Sequence, residues 1–339
     1  MRGVVLPGDR RTEIRDFAVP EPGHGQVLVR IHASSICGSD LRAIYRPTEQ
    51  GTGPEAYRGV IAGHEPAGQV EAVGPGVTRF APGDRVVVYH IAGCGLCHDC
   101  RSGWMISCSS PERAAYGWQR DGGHAAYLLA EERTLVDLPE PLTFLDGAMV
   151  ACGLGTAYAA CRRVDLSGRD HVLVTGLGPV GIGTALLAQR LGAQVTGVEA
   201  VPERRELAAS LGIAVSEATD EALADRTAGR GFDAAVECSG NGEARVLALR
   251  WARPWGRVAF VGEGGSVHFD VSPLVIHPQL TVMGSWVCSI GQMEELVELL
   301  VRWDLHPEIM VTDQFALEDA DAAYRLADAG RAGKVAIVP

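Results

Sequence analysis

A chain of 339 residues exceeds what one ordinary core encloses, so two domains are the expectation. Acidic residues outnumber basic ones 42 to 30, a formal net charge of −12, and no long basic run occurs, which excludes the clustered cations that nucleic acid or anionic lipid require. The texture is that of a turn-rich folded enzyme, 47% apolar with 42 glycines; with no apolar stretch of signal length and no run of about 18 apolar residues, neither secretion nor a membrane span is expected.

The first 150 residues read as β-rich. Gln26–His32 alternates and is β-branched, predicting a strand; Gly68–Val73 and Arg85–Tyr89 predict two more, each bounded by Gly or Pro. Among them stand Cys37-Gly38-Ser39-Asp40, a Pro- and Gly-rich surface loop over Arg46–Gly59, and Gly63-His64-Glu65-Pro66-Ala67-Gly68. Then come Cys94, Cys97, Cys100 and Cys108, spaced Cys-x₂-Cys-x₂-Cys-x₇-Cys. Four thiolates so placed can wrap one tetrahedral ion within a single loop. A closed four-sulfur zinc site builds structure and does no chemistry. Disulfides or an iron–sulfur cluster are the alternatives, but nine cysteines without a secretion signal suit a reducing cytoplasm and metal ligation. Tyr116, Trp118 and His124 flank a turn at Asp121-Gly122-Gly123. Cys152 lies in Ala151-Cys152-Gly153-Leu154-Gly155-Thr156, and spacing alone does not connect it with Cys37 and His64.

From about Gly153 strands and helices alternate: His171–Thr175, Val180–Leu191, Gln194–Val198, Pro202–Leu211, Ala234–Cys238 and Arg257–Val261. That alternation predicts parallel βαβ units in a doubly wound sheet. Gly176-Leu177-Gly178-Pro179-Val180-Gly181 follows a strand and opens a helix, the context the dinucleotide fingerprint requires. The helix N-terminus supplies N–H groups and a positive dipole end to a pyrophosphate. Glu199 closes the next strand eighteen residues past Gly181, where a carboxylate accepts adenosine ribose hydroxyls and repels a 2′-phosphate. NAD is therefore favoured over NADP, although Arg204 and Arg205 just beyond offer a phosphate partner. Ser239 and Val261 stand at two further strand ends, on the carboxyl edge where a dinucleotide lies. An amphipathic helix over Met293–Arg302 and a strand over Lys334–Val338 complete the chain, and Cys161, Cys238 and Cys288 read as packing residues.

In this order the Cys-Gly-Ser-Asp segment, Gly-His-Glu-x-x-Gly, the four-cysteine lobe and the nucleotide loop resemble the zinc-dependent medium-chain dehydrogenases, in the alcohol, polyol and threonine dehydrogenase group. The resemblance covers essentially the whole chain. It implies an α/β protein: a β-rich GroES-like catalytic domain from 1–150 and 287–339, with a zinc lobe at about 93–110, and a Rossmann NAD-binding domain over 151–286. It implies two Zn per subunit, a catalytic ion on Cys37, His64 and Cys152 with an open fourth position, and a structural ion on Cys94, Cys97, Cys100 and Cys108. Glu65 would join the catalytic metal when water leaves, or support its ligands. Ser39 matches the family's proton-relay hydroxyl. Many relatives carry a histidine where Arg42 stands, and a guanidinium cannot act as a base, so the relay ends in solvent or passes to His90. Thr156 matches a position beside the nicotinamide. The implied reaction is hydride transfer between a secondary alcohol (polyol, cyclitol or sugar-like) or its ketone and NAD, in a cytoplasmic homodimer or homotetramer. Reduction of activated C=C or C=N bonds with NAD(P)H, and NAD binding without turnover, are the competing readings.

Overall fold

The computed structural model describes residues 1–47, 50 and 55–339, so the loop expected over Arg46–Gly59 lies in part outside the described residues. Backbone contacts divide the chain into two units, Met1–Gly155 with Cys288–Pro339, and Thr156–Val287. The sequence reading set the crossings at 150/151 and 286/287. The first falls five residues later because the segment bearing Cys152 is tied into the first unit, where Gly153 N–H donates to Glu65 Oε1 at 3.2 Å.

The first unit opens with the antiparallel pair β1 (Arg2–Gly8) and β2 (Arg11–Asp16), followed by β3 (Gln26–Ser35), β4 (Glu65–Val73), β5 (Arg85–Val88), β6 (Ile91–Ala92), β7 (Ala114–Ala115), β8 (Tyr127–Glu131) and β9 (Leu135–Asp137). Val27, Val29 and Ile31 of β3 alternate onto one core, while on the opposite face Leu28 is buried and Arg30 is exposed. The second unit is one sheet of β10 (His171–Thr175), β11 (Gln194–Val198), β12 (Ala214–Ser216), β13 (Phe232–Glu237), β14 (Ala252–Phe260) and β15 (Thr281–Gly284). Its order is β12-β11-β10-β13-β14-β15, all parallel. Val172, Leu173 and Val174 are all buried, as expected of a strand covered on both faces. Strand order reverses between β10 and β13, the switch point where an open α/β sheet forms its binding crevice.

The chain then supplies β16 (Val311–Ala316) and β17 (Lys334–Val338) to the first unit. There β3 is the pivot. It runs antiparallel to β4 with Ser35 opposite Glu65, and antiparallel to β17 with Ala336 opposite Ser35. Residues from three distant stretches thus meet at one end of β3. One helical stretch, Phe144–Arg163, has the length and composition to cross a membrane, yet 78% of its apolar window is buried inside the protein, which marks a core helix.

Candidate metal centres and dinucleotide loop

Cys37 leaves the end of β3 and caps a single helical turn, Gly38–Asp40. The turn folds Asp40 back, so that its Oδ2 accepts the Cys37 N–H at 3.2 Å. Its Oδ1 accepts from Trp118 Nε1 at 3.0 Å and lies 2.7 Å from His64 Nδ1. Asp40 and His64 are both buried. With Nδ1 committed to the carboxylate, Nε2 is the ring nitrogen left for a ligand, the arrangement that fixes the tautomer of a metal-binding imidazole. Cys152 comes from a widened π-helical turn, Val150–Leu154, a local geometry frequent at functional sites.

The donor atoms of Cys37, His64, Glu65 and Cys152 all lie within 4.8 Å of one another. Two sulfurs, an imidazole and a carboxylate match the ligand chemistry of zinc, and burying such groups together without an ion is costly. The residues present therefore fit the metal. A hydrogen bond from the Cys152 thiol holds Cys37 well below the usual thiol range, helped by His64 and opposed by burial. Burial works against a charged His64, but Asp40 and Cys37 outweigh it and raise the imidazole well above its ordinary value. Burial likewise pushes the Glu65 carboxyl up to about 7, against the opposing ammonium of Lys334.

Lys334, the chain's only lysine, is 3% exposed and ion-paired with Glu65 Oε2. Ser35 Oγ donates to the same oxygen at 2.5 Å. Glu65 thus links β3, β17 and, through Gly153, the turn that carries Cys152. Ser39 sits half-exposed on the turn between Cys37 and Asp40. The His90 ring lies 5.1 Å from that of His64, and its Nδ1 is 3.0 Å from the carbonyl oxygen of Ala151. Burial, then the neighbouring His64, pushes His90 down to about 4, so a neutral ring donates Nδ1–H to that carbonyl. His124 is fully buried, with Nδ1 3.1 Å from the Tyr324 hydroxyl.

In the lobe, the sulfurs of Cys94, Cys97, Cys100 and Cys108 also lie within 4.8 Å of one another. Backbone N–H groups of Leu96 and Cys97 donate to Cys94 Sγ at 3.4 Å each and bring that thiol down to about 6. Burial pushes Cys100 up to about 12. The lobe is anchored on the helix Ile290–Trp303, whose first N–H, from Ile290, donates to Gly103 O at 3.0 Å.

In the second unit Gly176 has φ +84, and a Cβ there would lie 2.6 Å from the Ser239 Cβ. A Cβ on Gly181 would lie 1.8 Å from Gly176 O, so the loop after β10 is closed to any side chain at either position. Gly178 caps the helix Pro179–Arg190, and Pro179 at its first position lacks the N–H that would be an orphan there. The following N–H groups of the first turn, Val180 and Gly181 among them, form the anion-binding end of that helix. Glu199 Oε2 accepts Leu177 N–H at 2.7 Å, and its Oε1 accepts those of Ala200 and Val201 at 2.8 and 2.9 Å. Its carboxylate is thereby fixed at the end of β11. The Arg204 guanidinium lies 3.6 Å from where a Gly178 Cβ would sit, beside the same loop. Ser239 Oγ donates to Glu237 Oε1 at 2.5 Å and Val261 N–H to Glu237 O at 2.8 Å, while Thr156 begins the second unit.

The sequence reading gave no role to Asp40, Trp118 or Lys334. Asp40 lay inside a quoted motif, but its partner His64 is 24 residues away. Lys334 did carry a signal, since a lone lysine among 30 basic residues marks a place where arginine does not serve.

Two family models match the chain: the alcohol dehydrogenase GroES-like domain over residues 23–140, and the zinc-binding dehydrogenase over residues 179–302. The zinc-type alcohol dehydrogenase-like protein YphC of Escherichia coli is 47% identical, covering 99% of this chain and 98% of its own. A sorbitol dehydrogenase of Halalkalibacterium halodurans is 31% identical over 96% of this chain and 95% of its own. Among solved structures, the alcohol dehydrogenase TADH from Thermus sp. ATN1 superposes with a TM-score of 0.90 at 32% identity, covering 100% of this chain and 99% of that one. With both family models matched along one chain and two metal-donor clusters in place, the protein belongs to the zinc-dependent medium-chain dehydrogenases, oxidoreductases built from a GroES-like and a Rossmann domain.

Proposed function

We propose that this protein is a dehydrogenase that moves a hydride between a secondary alcohol, of polyol, cyclitol or sugar-like kind, and NAD, with two zinc ions per subunit. The observation that carries the reading is the convergence of Cys37, His64, Glu65 and Cys152 within 4.8 Å, with His64 and Glu65 buried and Asp40 behind His64. Cys37, His64 and Cys152 would hold the catalytic ion, and Cys94, Cys97, Cys100 and Cys108 the structural one. Zinc at the first cluster would supply Lewis-acid polarisation of the substrate oxygen, and NAD the hydride acceptor. The chain's own residues do the rest. Asp40 fixes the His64 tautomer, and Glu65, neutralised by Lys334, holds the Cys152 turn through Gly153. Ser39 Oγ accepts the substrate hydroxyl proton as it passes its own on, to solvent or to His90. With Nδ1 engaged by Ala151, His90 enters that relay only through Nε2. The first turn at Pro179 receives the pyrophosphate, and the fixed Glu199 carboxylate favours NAD over NADP. We further propose a cytoplasmic homo-oligomer, dimer or tetramer, joined along the outer edge of β15.

The test is NADH formation over a panel of polyols, cyclitols and simple secondary alcohols, with NAD and NADP compared and zinc counted. The expected result is two zinc equivalents and turnover of a secondary alcohol with a higher kcat/KM for NAD, abolished when chelation removes one equivalent. Full activity with zinc confined to the four-cysteine lobe would overturn the catalytic assignment.

A further inference from the structure

The second unit holds a buried ion pair that hydride transfer does not itself require. Glu237 ends β13 fully buried, and Arg245, on the next helix Gly242–Trp251, is 9% exposed. Glu237 Oε1 accepts three hydrogen bonds from the turn that follows: Ser239 N–H at 2.6 Å, Ser239 Oγ at 2.5 Å and Gly240 N–H at 2.9 Å. Arg245 reaches the other way. Its Nη2 donates to the carbonyl oxygens of Gly262 and Gly264, each at 2.7 Å, and its Nη1 to that of Gly265 at 3.4 Å. Between the two turns Glu237 Oε2 and Arg245 Nε stand 3.6 Å apart, and neither has a hydrogen-bond partner among the described residues. What joins them is charge, in a place where water does not screen it.

The two turns are the ends of β13 and β14 at the carboxyl edge of the sheet, and their backbones touch. A Cβ on Gly262 would lie 2.1 Å from Gly240 N, and one on Gly240 would lie 2.4 Å from Glu263 O. The first turn also abuts the glycine loop, since Ser239 leaves no room for a Cβ on Gly176. Any movement of Ser239 is therefore passed to the loop at Gly176, and any movement of Gly262 to Ser239 through Gly240. Close packing makes such contacts rigid couplings, not soft ones.

We propose that Glu237 and Arg245 form one positioning clamp for the dinucleotide, holding the 239–240 and 262–265 turns in the register that the glycine loop needs. Neither side chain is a catalytic residue. The clamp acts through the backbone it holds, and it rests on the dinucleotide reading given under Proposed function. Removing one charge strands the other in a buried place, which the pair relieves only by letting the two turns part.

The test is NADH fluorescence titration of the full-length protein carrying Glu237→Gln, Arg245→Gln or both, with thermal unfolding and steady-state kinetics on the same samples. Each single variant is expected to bind NADH about tenfold more weakly and to show a raised KM for NAD with kcat at saturating cofactor unchanged. The double variant should bind no more weakly than the weaker single, since one clamp cannot be opened twice. Parental NADH affinity in a folded single variant, or losses that multiply in the double, would overturn the proposal. If Glu237→Gln does not fold, Arg245→Gln decides by the same criterion, and if neither folds the pair is purely structural and the proposal falls. An unaltered protein that binds neither NADH nor NADPH sinks the dinucleotide reading itself, a distinct result.

Discussion

Asp40 illustrates how much of a metal-donor cluster lies outside its donors. Its two oxygens serve a backbone N–H, an indole N–H and an imidazole, all in a fully buried position. Asp40→Ala leaves His64 Nδ1 and Trp118 Nε1 without acceptors and frees the imidazole to turn. We expect zinc affinity at this cluster to fall about 10- to 100-fold, with the lobe zinc unaffected. Competition against a chromogenic chelator reads this as one early-released equivalent per subunit. Two equivalents held as tightly as in the parent would show that Asp40 does not orient the ligand. Cys37, His64 and Cys152 were legible because each sits in a local string of residues. Asp40 and Lys334 were not assigned, because their roles depend on partners that only the pairing of β3 with β4 and β17 brings near.

At the scale of elements, the helix Phe144–Met149 shows a cap used twice. Thr143 and Asp146 form a capping box, and buried Asp146 also accepts Glu308 N–H at 2.9 Å and lies 2.8 Å from His306 Nδ1. The hydrogen bond to Asp146 raises His306, with burial opposing. A proton is thus held more tightly in the folded chain than in the unfolded one. The stabilisation it brings is complete below the ordinary imidazole value and disappears as pH climbs through the raised one. Urea unfolding of the parent and His306→Asn should accordingly show a wider stability gap at about pH 5.5 than at about pH 8.5. A gap independent of pH would mean that the imidazole titrates alike in both states. Strands β10, β11 and β17 have the bounds read from the sequence, since each is an apolar run with clear stops. By contrast, β14 begins at Ala252, five residues before the expected Arg257. An exposed Trp255 with φ +65 interrupts the apolar pattern there and hides the strand's first part. The pair β1 and β2 is not legible in the sequence, because the exposed, charged β2 shows no buried face to read.

For the whole molecule, the open question is what covers the outer edge of β15. That strand is last in its sheet, and among the described residues it pairs only with β14. Val282 on it and Trp286 just beyond are 37% and 50% exposed, and an unprotected apolar edge is a template for pairing. Sedimentation velocity should find the parent as a dimer or tetramer, and Val282→Lys shifted toward the monomer, since a cation on each facing strand repels its copy. A monomeric parent, or an unmoved variant, would assign that edge no part in assembly. The buried Lys334 has a practical consequence at this scale. With every other basic side chain an arginine or histidine, Lys334 is the one side-chain amine in this sequence that an acylating reagent can take, and in the folded chain it is buried. Acylation at Lys334 then reports the moment at which β17 lifts from Glu65, so ordinary mass spectrometry becomes a clock for the opening of that corner of the protein.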